Sequence, residues 1–243
     1  MCNLRNVRVT VWNEYAHEKS EAKIAAVYPD GMHAAIADAL RKNPELTVRT
    51  ATLNEPGCGL GGDVLEQTDV LTWWGHMRHG DVPDELVNRV YRRVQEGMGL
   101  IALHSSHASK IFSKLCGTES ANLKWRESDD KEILWVTDPN HPIVAGLGKD
   151  HIVLEKEETY GEHFDIPTPD EIVFISWFSG GEVFRSGVTY KRGLGRVFYF
   201  RPGHESFPTF YNEDIIKVIE NACFWCAESA YVKPDYGHYM SVV

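Results

Sequence analysis

The sequence predicts an α/β protein: a doubly wound, mostly parallel sheet with an antiparallel excursion in its second half. Three observations lead there. Short Val-, Leu- and Ile-rich runs alternate with amphipathic stretches up to about residue 115; Pro and Gly turns then separate several short strands; a last apolar strand precedes a long helical pattern. Strand–helix alternation at this spacing implies right-handed crossovers, which make the joined strands parallel.

Taken in order, Leu4–Trp12 is a Val-rich buried strand, followed by a polar loop over residues 13–23. Asp30 and Gly31 precede a helix over residues 33–43 that places Ala35, Ile36, Ala39 and Leu40 on one face. Glu45–Leu53 is a second strand, EPGCGLGG a turn-rich loop and Asp69–Gly75 a third strand. Pro83 suits the first turn of a helix, where its missing N–H is not needed; the helix runs to Glu96 and Gly97 stops it. MGLIALHSS is a fourth strand and His107–Leu115 a helix. Lys131–Val136, His151–Glu157, Glu171–Phe178 and Val183–Tyr190 form the excursion. Gly195–Phe200 returns as a strand, and Asn212–Glu228 closes the chain with Ile215, Val218, Ile219 and Ala222 on its apolar side. No internal repeat or low-complexity linker interrupts the pattern, so a single domain over residues 1–243 is expected.

Composition narrows the function. The chain is 43% apolar and carries a net charge of −10, with Arg89, Arg92 and Arg93 its densest basic patch. Counterion release needs clustered cations, so no nucleic-acid partner is expected. No apolar run approaches the ~20 residues of a membrane span. The N-terminal segment lacks the apolar core of a secretory signal, and five irregularly spaced cysteines suit a reduced cytoplasm. Cys223 and Cys226 lie in an apolar-periodic stretch and are expected to pack as small hydrophobes.

Ligands of open parallel sheets bind beyond the carboxyl ends of the strands. Those ends carry Trp12-Asn13-Glu14, the run Trp73 to His79, His104-Ser105-Ser106-His107, and Arg201 to Glu205; His33 opens a helix at the same edge. His33, His76, His79, His104, His107 and His204 therefore share one rim. His104 stands at the tip of a strand–turn–helix elbow. Blander readings stay open for the others: His33 as a helix residue bonding a carboxylate, Trp73 and Trp74 as core aromatics or a sugar platform, Arg78 as a surface cation or an oxyanion partner.

The elbow GMGLIALHSSHAS resembles that of class I glutamine amidotransferase-like proteins, and GRVFYFRPGHE resembles their segment with the catalytic histidine and glutamate. His104 stands where those enzymes place a cysteine, so glutaminase chemistry is not expected. Together with VTVWNEYAHEK, VYPDGMH, DVLTWWGHMRHGDVP and FYFRPGHESFP, these segments resemble the ThuA-like, or trehalose utilisation, family across nearly the whole chain. The resemblance implies a flavodoxin-like sheet and a role in disaccharide metabolism, with trehalose and its 3-keto forms as the context.

Two chemistries fit the residue types. Neutral imidazoles of His33, His104 and His204 could hold a divalent metal, zinc, leaving an open position for water. Glu158 and His163 are further ligand or base candidates. Alternatively, His104 or His76, with a pKa near ~6.5, moves a proton on a sugar while Arg78 stabilises the developing negative charge. A 3-keto sugar suits either, because its carbonyl acidifies the adjacent C–H. Trp12, Glu14, Trp74, His79, Ser105, His163 and Glu205 are expected to contact substrate, and Glu158 with Glu205 is the best pair for two-carboxylate glycosidase chemistry. CGLGGD lacks the dinucleotide fingerprint, so no nucleotide cofactor is expected. A hydrolase, lyase or isomerase acting on a carbohydrate is the leading expectation, as a homo-oligomer whose tail, residues 231–243, docks on its own chain or a neighbour. A non-catalytic sugar- or partner-binding module is the alternative.

Overall fold

A computed structural model describes residues 6–118, 121–227 and 237. Its strands are β1 (Val7–Asn13), β2 (Leu46–Thr52), β3 (Val70–Trp74), β4 (Gly99–Leu103), β5 (Lys124–Val136), β6 (His151–Gly161), β7 (Glu171–Phe178), β8 (Val183–Arg192) and β9 (Gly195–Phe200). The helices are α1 (His17–Ser20), α2 (Ala22–Val27), α3 (Met32–Leu40), α4 (Asp84–Gln95), α5 (Lys110–Cys116) and α6 (Glu213–Ala227). The strands form one sheet in the order β2-β1-β3-β4-β9-β8-β7-β5-β6, parallel from β2 to β9 and antiparallel beyond. The excursion therefore widens the same sheet.

Helices cover both faces of the parallel half, so β3 and β4 are buried throughout and read as unbroken apolar runs. One core packs Ile36 and Leu40 of α3 with Val218, Ile219 and Ala222 of α6. The other packs Val90 and Val94 of α4 with Phe112 and Leu115 of α5. Along β1, Val7, Val9 and Val11 enter the first core and Trp12 the second, the alternation of a pleated strand. The antiparallel half leaves Trp135, Trp177, Val153 and Val183 exposed on one face. No helix among the described residues is long and apolar enough to cross a membrane.

Three segments differ from the sequence expectation. The polar loop over residues 13–23 contains α1 and the start of α2, held by buried His17, Glu18 and Ile24. Helices this short show no apolar period, and tertiary contacts rather than propensity stabilise them. After β4 the chain makes a 3-10 turn over His104–Ala108, and α5 begins only after Ser109, whose Oγ accepts from Phe112 N at 3.2 Å. β5 starts at Lys124 and β6 continues to Gly161, because Trp125 pairs with Tyr160 and Arg126 with Thr159. The charged run KWRESDDK hides that extension in the sequence. The expected start of β1 at Leu4 and the tail over residues 231–243 lie outside the described residues.

Cys58, Cys116 and Cys223 are buried free thiols, and Cys226 is buried on α6. Cys226 packs against β4 so closely that a Cβ on Gly99 would stand 2.5 Å from the Cys226 Cβ. Gly99→Ala should therefore destabilise by about 1–3 kcal/mol, the usual cost of overpacking. An unchanged urea midpoint at equal m-value would rule out this packing.

Candidate functional site

The site assembles where β1, β3, β4 and β9 end and β6 crosses beside them. His104, the first residue beyond β4, has φ +51, a left-handed conformation that a non-glycine residue adopts at some cost. Two serines fasten the turn to the end of β3: Ser105 Oγ donates to Gly75 O at 2.8 Å and Ser106 Oγ to Trp73 O at 2.8 Å, while Gly75 N donates to Ser106 Oγ at 2.9 Å. His104 Nδ1–H donates to Arg201 O at 3.0 Å, so the lone pair of the neutral ring lies on Nε2. That nitrogen faces Glu158 Oε2 at 3.2 Å and the Tyr160 hydroxyl at 3.5 Å. Tyr160 stacks on one side of the imidazole and Trp74 on the other, with centroids 5.3 and 6.3 Å away. His204 meets the ring edge-on at 5.4 Å.

A second group adjoins this one. His17 Nε2 lies 2.9 Å from His76 Nδ1, and His17 Nδ1 is 3.1 Å from Glu21 Oε1. Glu205 Oε1 is 3.6 Å from His17 Nδ1, and its Oε2 is 3.7 Å from His204 Nε2. Among the described residues, two sets of side chains thus bring potential ligand atoms within 4.8 Å of one another: His104, Glu158 and His204, and His17, His76 and Glu205. Glu158 Oε2 and Glu205 Oε2 are buried and accept no hydrogen bond.

Burial sets the charge state. It drives the His104 imidazole well below its ordinary value, assisted by the Arg201 charge, and His204 down to about 2, with His104 and His76 opposing its protonation too. Burial likewise lowers His76 and His79, and takes His107 to about 3. The same desolvation pushes the Glu158 and Glu205 carboxyls up to about 7. Behind the cluster, Arg201 Nη2 bonds Glu132 Oε2 at 2.5 Å and approaches Glu157 Oε2 at 3.6 Å, all three fully buried. Glu157 accepts from Gly203 N, His204 N and Thr209 Oγ1, which positions the loop that carries His204.

A cleft of about 330 Å³ opens onto the cluster, lined by His76, His79, Ser105, His107, Glu158 and Tyr160 and flanked by Trp125, which is 61% exposed. A larger groove of about 450 Å³ between α3 and α6 is lined by alanines and surface charges and contains no histidine.

Several sequence candidates lie elsewhere. His33 belongs to neither cluster: Asn13 Nδ2 donates to its Nδ1 at 3.2 Å and also to Glu18 Oε1 at 2.6 Å, while Glu18 caps α3 at Met32 N. Trp12 is buried, stacked on Trp73 at 3.6 Å, with its indole N–H donating to Cys58 O, so it is a core residue. Trp74 is buried too and donates to Gly203 O, backing His104 rather than facing the cleft. Glu14 is occupied by the backbone N–H groups of His76, Met77 and Arg78 and so shapes the loop after β3. The Arg78 guanidinium is tied to Asp81 and Asn54 at the surface. His163 is exposed and does not line the cleft. Conversely, sequence reasoning passed over His17, Tyr160 and Trp125. Only the position of His17, four residues past the end of β1, hinted at its place on the rim.

The family model described as trehalose utilisation, ThuA, matches residues 8–226. A ThuA-like protein from Parabacteroides merdae superposes with a TM-score of 0.67 at 15% identity, covering 95% of this chain and 93% of that one. A ThuA-like protein from Bacteroides uniformis gives 0.62 at 12% identity and 93% coverage of both chains. PurLQS from Thermotoga maritima gives 0.54 at 15% identity, covering 90% of this chain and 99% of that one. At these identities the likeness is one of fold, here that of ThuA-like and glutamine amidotransferase-like proteins. No curated protein matches the chain.

Proposed function

The chain belongs to the ThuA family of trehalose utilisation, and from that premise we propose that it is a carbohydrate-processing enzyme with a divalent cation, zinc, held by His104, Glu158 and His204. Its substrate is a trehalose-type disaccharide or a 3-keto form of one. The carrying observation is the 3.2 Å contact between His104 Nε2 and Glu158 Oε2. The first atom bears a lone pair because Nδ1–H is committed to Arg201 O, and the second accepts no hydrogen bond. In the metal-free protein the raised Glu158 carboxyl keeps its proton between these two atoms; when Glu158 ionises a cation takes the proton's place, and this donor set suits zinc. A bound divalent cation supplies Lewis acidity to a sugar carbonyl and lowers the pKa of a coordinated water to ~7. The chain's own part is to hold His104 by its bond to Arg201 O, to keep the imidazoles neutral by burial, and to offer Trp125 and Tyr160 as apolar walls for a sugar ring.

The test uses tag-free protein and a 3-keto disaccharide. Turnover should vanish on chelation and return with zinc; turnover indifferent to chelation would reject the metal and favour proton transfer by the site's own groups. Glu158 must lose its proton to bind a cation, so zinc affinity should rise as pH climbs from 6 toward and through about 7. The metal-free protein obeys the opposite sign. Carboxyls raised above their ordinary 4.5 favour the folded state while protonated, and that contribution is lost as pH rises through about 7. Glu158→Gln and Glu205→Gln should flatten this slope in urea titrations.

A further inference from the structure

We propose that His17, His76 and Glu205 form a second divalent-cation position beside the first, with the Glu205 carboxylate spanning the two. The proposal rests on reading His104, Glu158 and His204 as a cation site. His17 Nε2 and His76 Nδ1 are 2.9 Å apart. Two nitrogens each ~2.0–2.1 Å from one cation need a separation of ~3–3.4 Å, so a small ring movement brings both onto a shared ion. In the metal-free protein a single proton bridges them.

Glu205 is placed for a bridging role. Its two oxygens point to different groups, Oε1 toward the His17 ring, nearest Nδ1 at 3.6 Å, and Oε2 toward His204 Nε2 at 3.7 Å. Both separations are too long for a hydrogen bond. The ligand atoms of His17, His76 and Glu205 lie within 4.8 Å of one another, so a shift of the carboxylate brings Oε1 to the ion at Nε2. Oε2 is buried without any partner, and the residue is only 4% exposed. A buried carboxylate oxygen left unsatisfied is costly, and a cation lying between it and the imidazoles removes that cost. The rings of His76 and His104 are 6.4 Å apart and those of His76 and His204 6.3 Å, so the two groups adjoin. His76 also lines the cleft, which places the second position within reach of a bound sugar.

A pair of cations suits a ligand with two neighbouring oxygens, because each ion takes one of them. The substrate class is therefore an α-hydroxyketone, the arrangement that a 3-keto sugar presents between its carbonyl and an adjacent hydroxyl. The acid–base role open to His76 from the sequence gives way to a ligand role.

The experiment loads chelator-stripped, tag-free protein with zinc and counts bound metal by mass spectrometry. Two zinc ions per chain are expected, with His17→Gln and His76→Gln each retaining one and His104→Gln losing the other. One zinc per chain that His104→Gln removes and His17→Gln spares overturns the second position and leaves the first intact. No zinc at all overturns both. Circular dichroism and thermal unfolding of each variant establish that lost metal is not lost fold. A readout on the unmutated protein stands apart from the variants. At two equivalents of Mn²⁺, the paramagnetic resonance spectrum should show an exchange-coupled pair, and two isolated six-line signals would overturn the bridge.

Discussion

His104→Asn should lower turnover of the sugar substrate about a thousandfold, matching the several kcal/mol that a Lewis acid contributes to a transition state. Asparagine is the informative replacement. It tolerates the left-handed backbone that residue 104 adopts at φ +51, so the elbow keeps its shape while the imidazole is removed. The loss to folding is the bond to Arg201 O, worth about 1 kcal/mol, together with the stacking of the ring between Tyr160 and Trp74, about 1–2 kcal/mol more. Activity and stability should thus separate cleanly. A variant that turned over normally with its zinc retained would dismiss the elbow as the centre of the chemistry.

Arg201→Met should have the largest effect on stability, about 3–5 kcal/mol, the cost of leaving buried charge without its partner. Arg201 is the cation between Glu132 and Glu157, and all three are shielded from solvent. Burial opposes the guanidinium charge, but the two carboxylates outweigh it and hold Arg201 above its ordinary value. Burial also pushes Glu132 up to about 7, while Arg201 pulls it back. Without the arginine both carboxyls take up protons, so the deficit should be greatest above pH 7 and shrink toward pH 5. Adding Glu132→Gln and Glu157→Gln should recover much of the loss by removing the orphaned charge. Urea denaturation at the two pH values measures this, and a pH-independent deficit would show that lost packing, not charge, is responsible. The same variant should disturb the loop that carries His204, because Glu157 holds its backbone.

The parallel half was legible because its signals are local. The unbroken apolar runs of β3 and β4 announce strands covered on both faces, and Pro83 and Gly97 bracket α4. The rim was legible because parallel strands must all end on one edge, and His76, His104 and His204 lie two, one and four residues past the ends of β3, β4 and β9. Glu158 was legible as chemistry but not as a neighbour of His104. Its placement depends on the pairing of β5 with β6, and the sequence there reads as a charged loop.

The candidates that lie outside the two clusters share a cause. Glu14, Arg78 and His33 have the side chains of a binding site, yet each is occupied by partners brought from other segments: backbone N–H groups after β3, Asp81 with Asn54, and Asn13. Trp12 was read as a substrate contact because a strand-end aromatic can face solvent, and Trp73 on the neighbouring strand decides for the core. By itself, the sequence determined the class of fold and the edge at which the histidines gather, since periodicity and chain direction are properties of short segments. Only the tertiary structure decided which imidazoles share a cavity with which carboxylates. That depends on ring orientations set by hydrogen bonds such as that from His104 to Arg201 O, across 97 positions of chain, which no local pattern records.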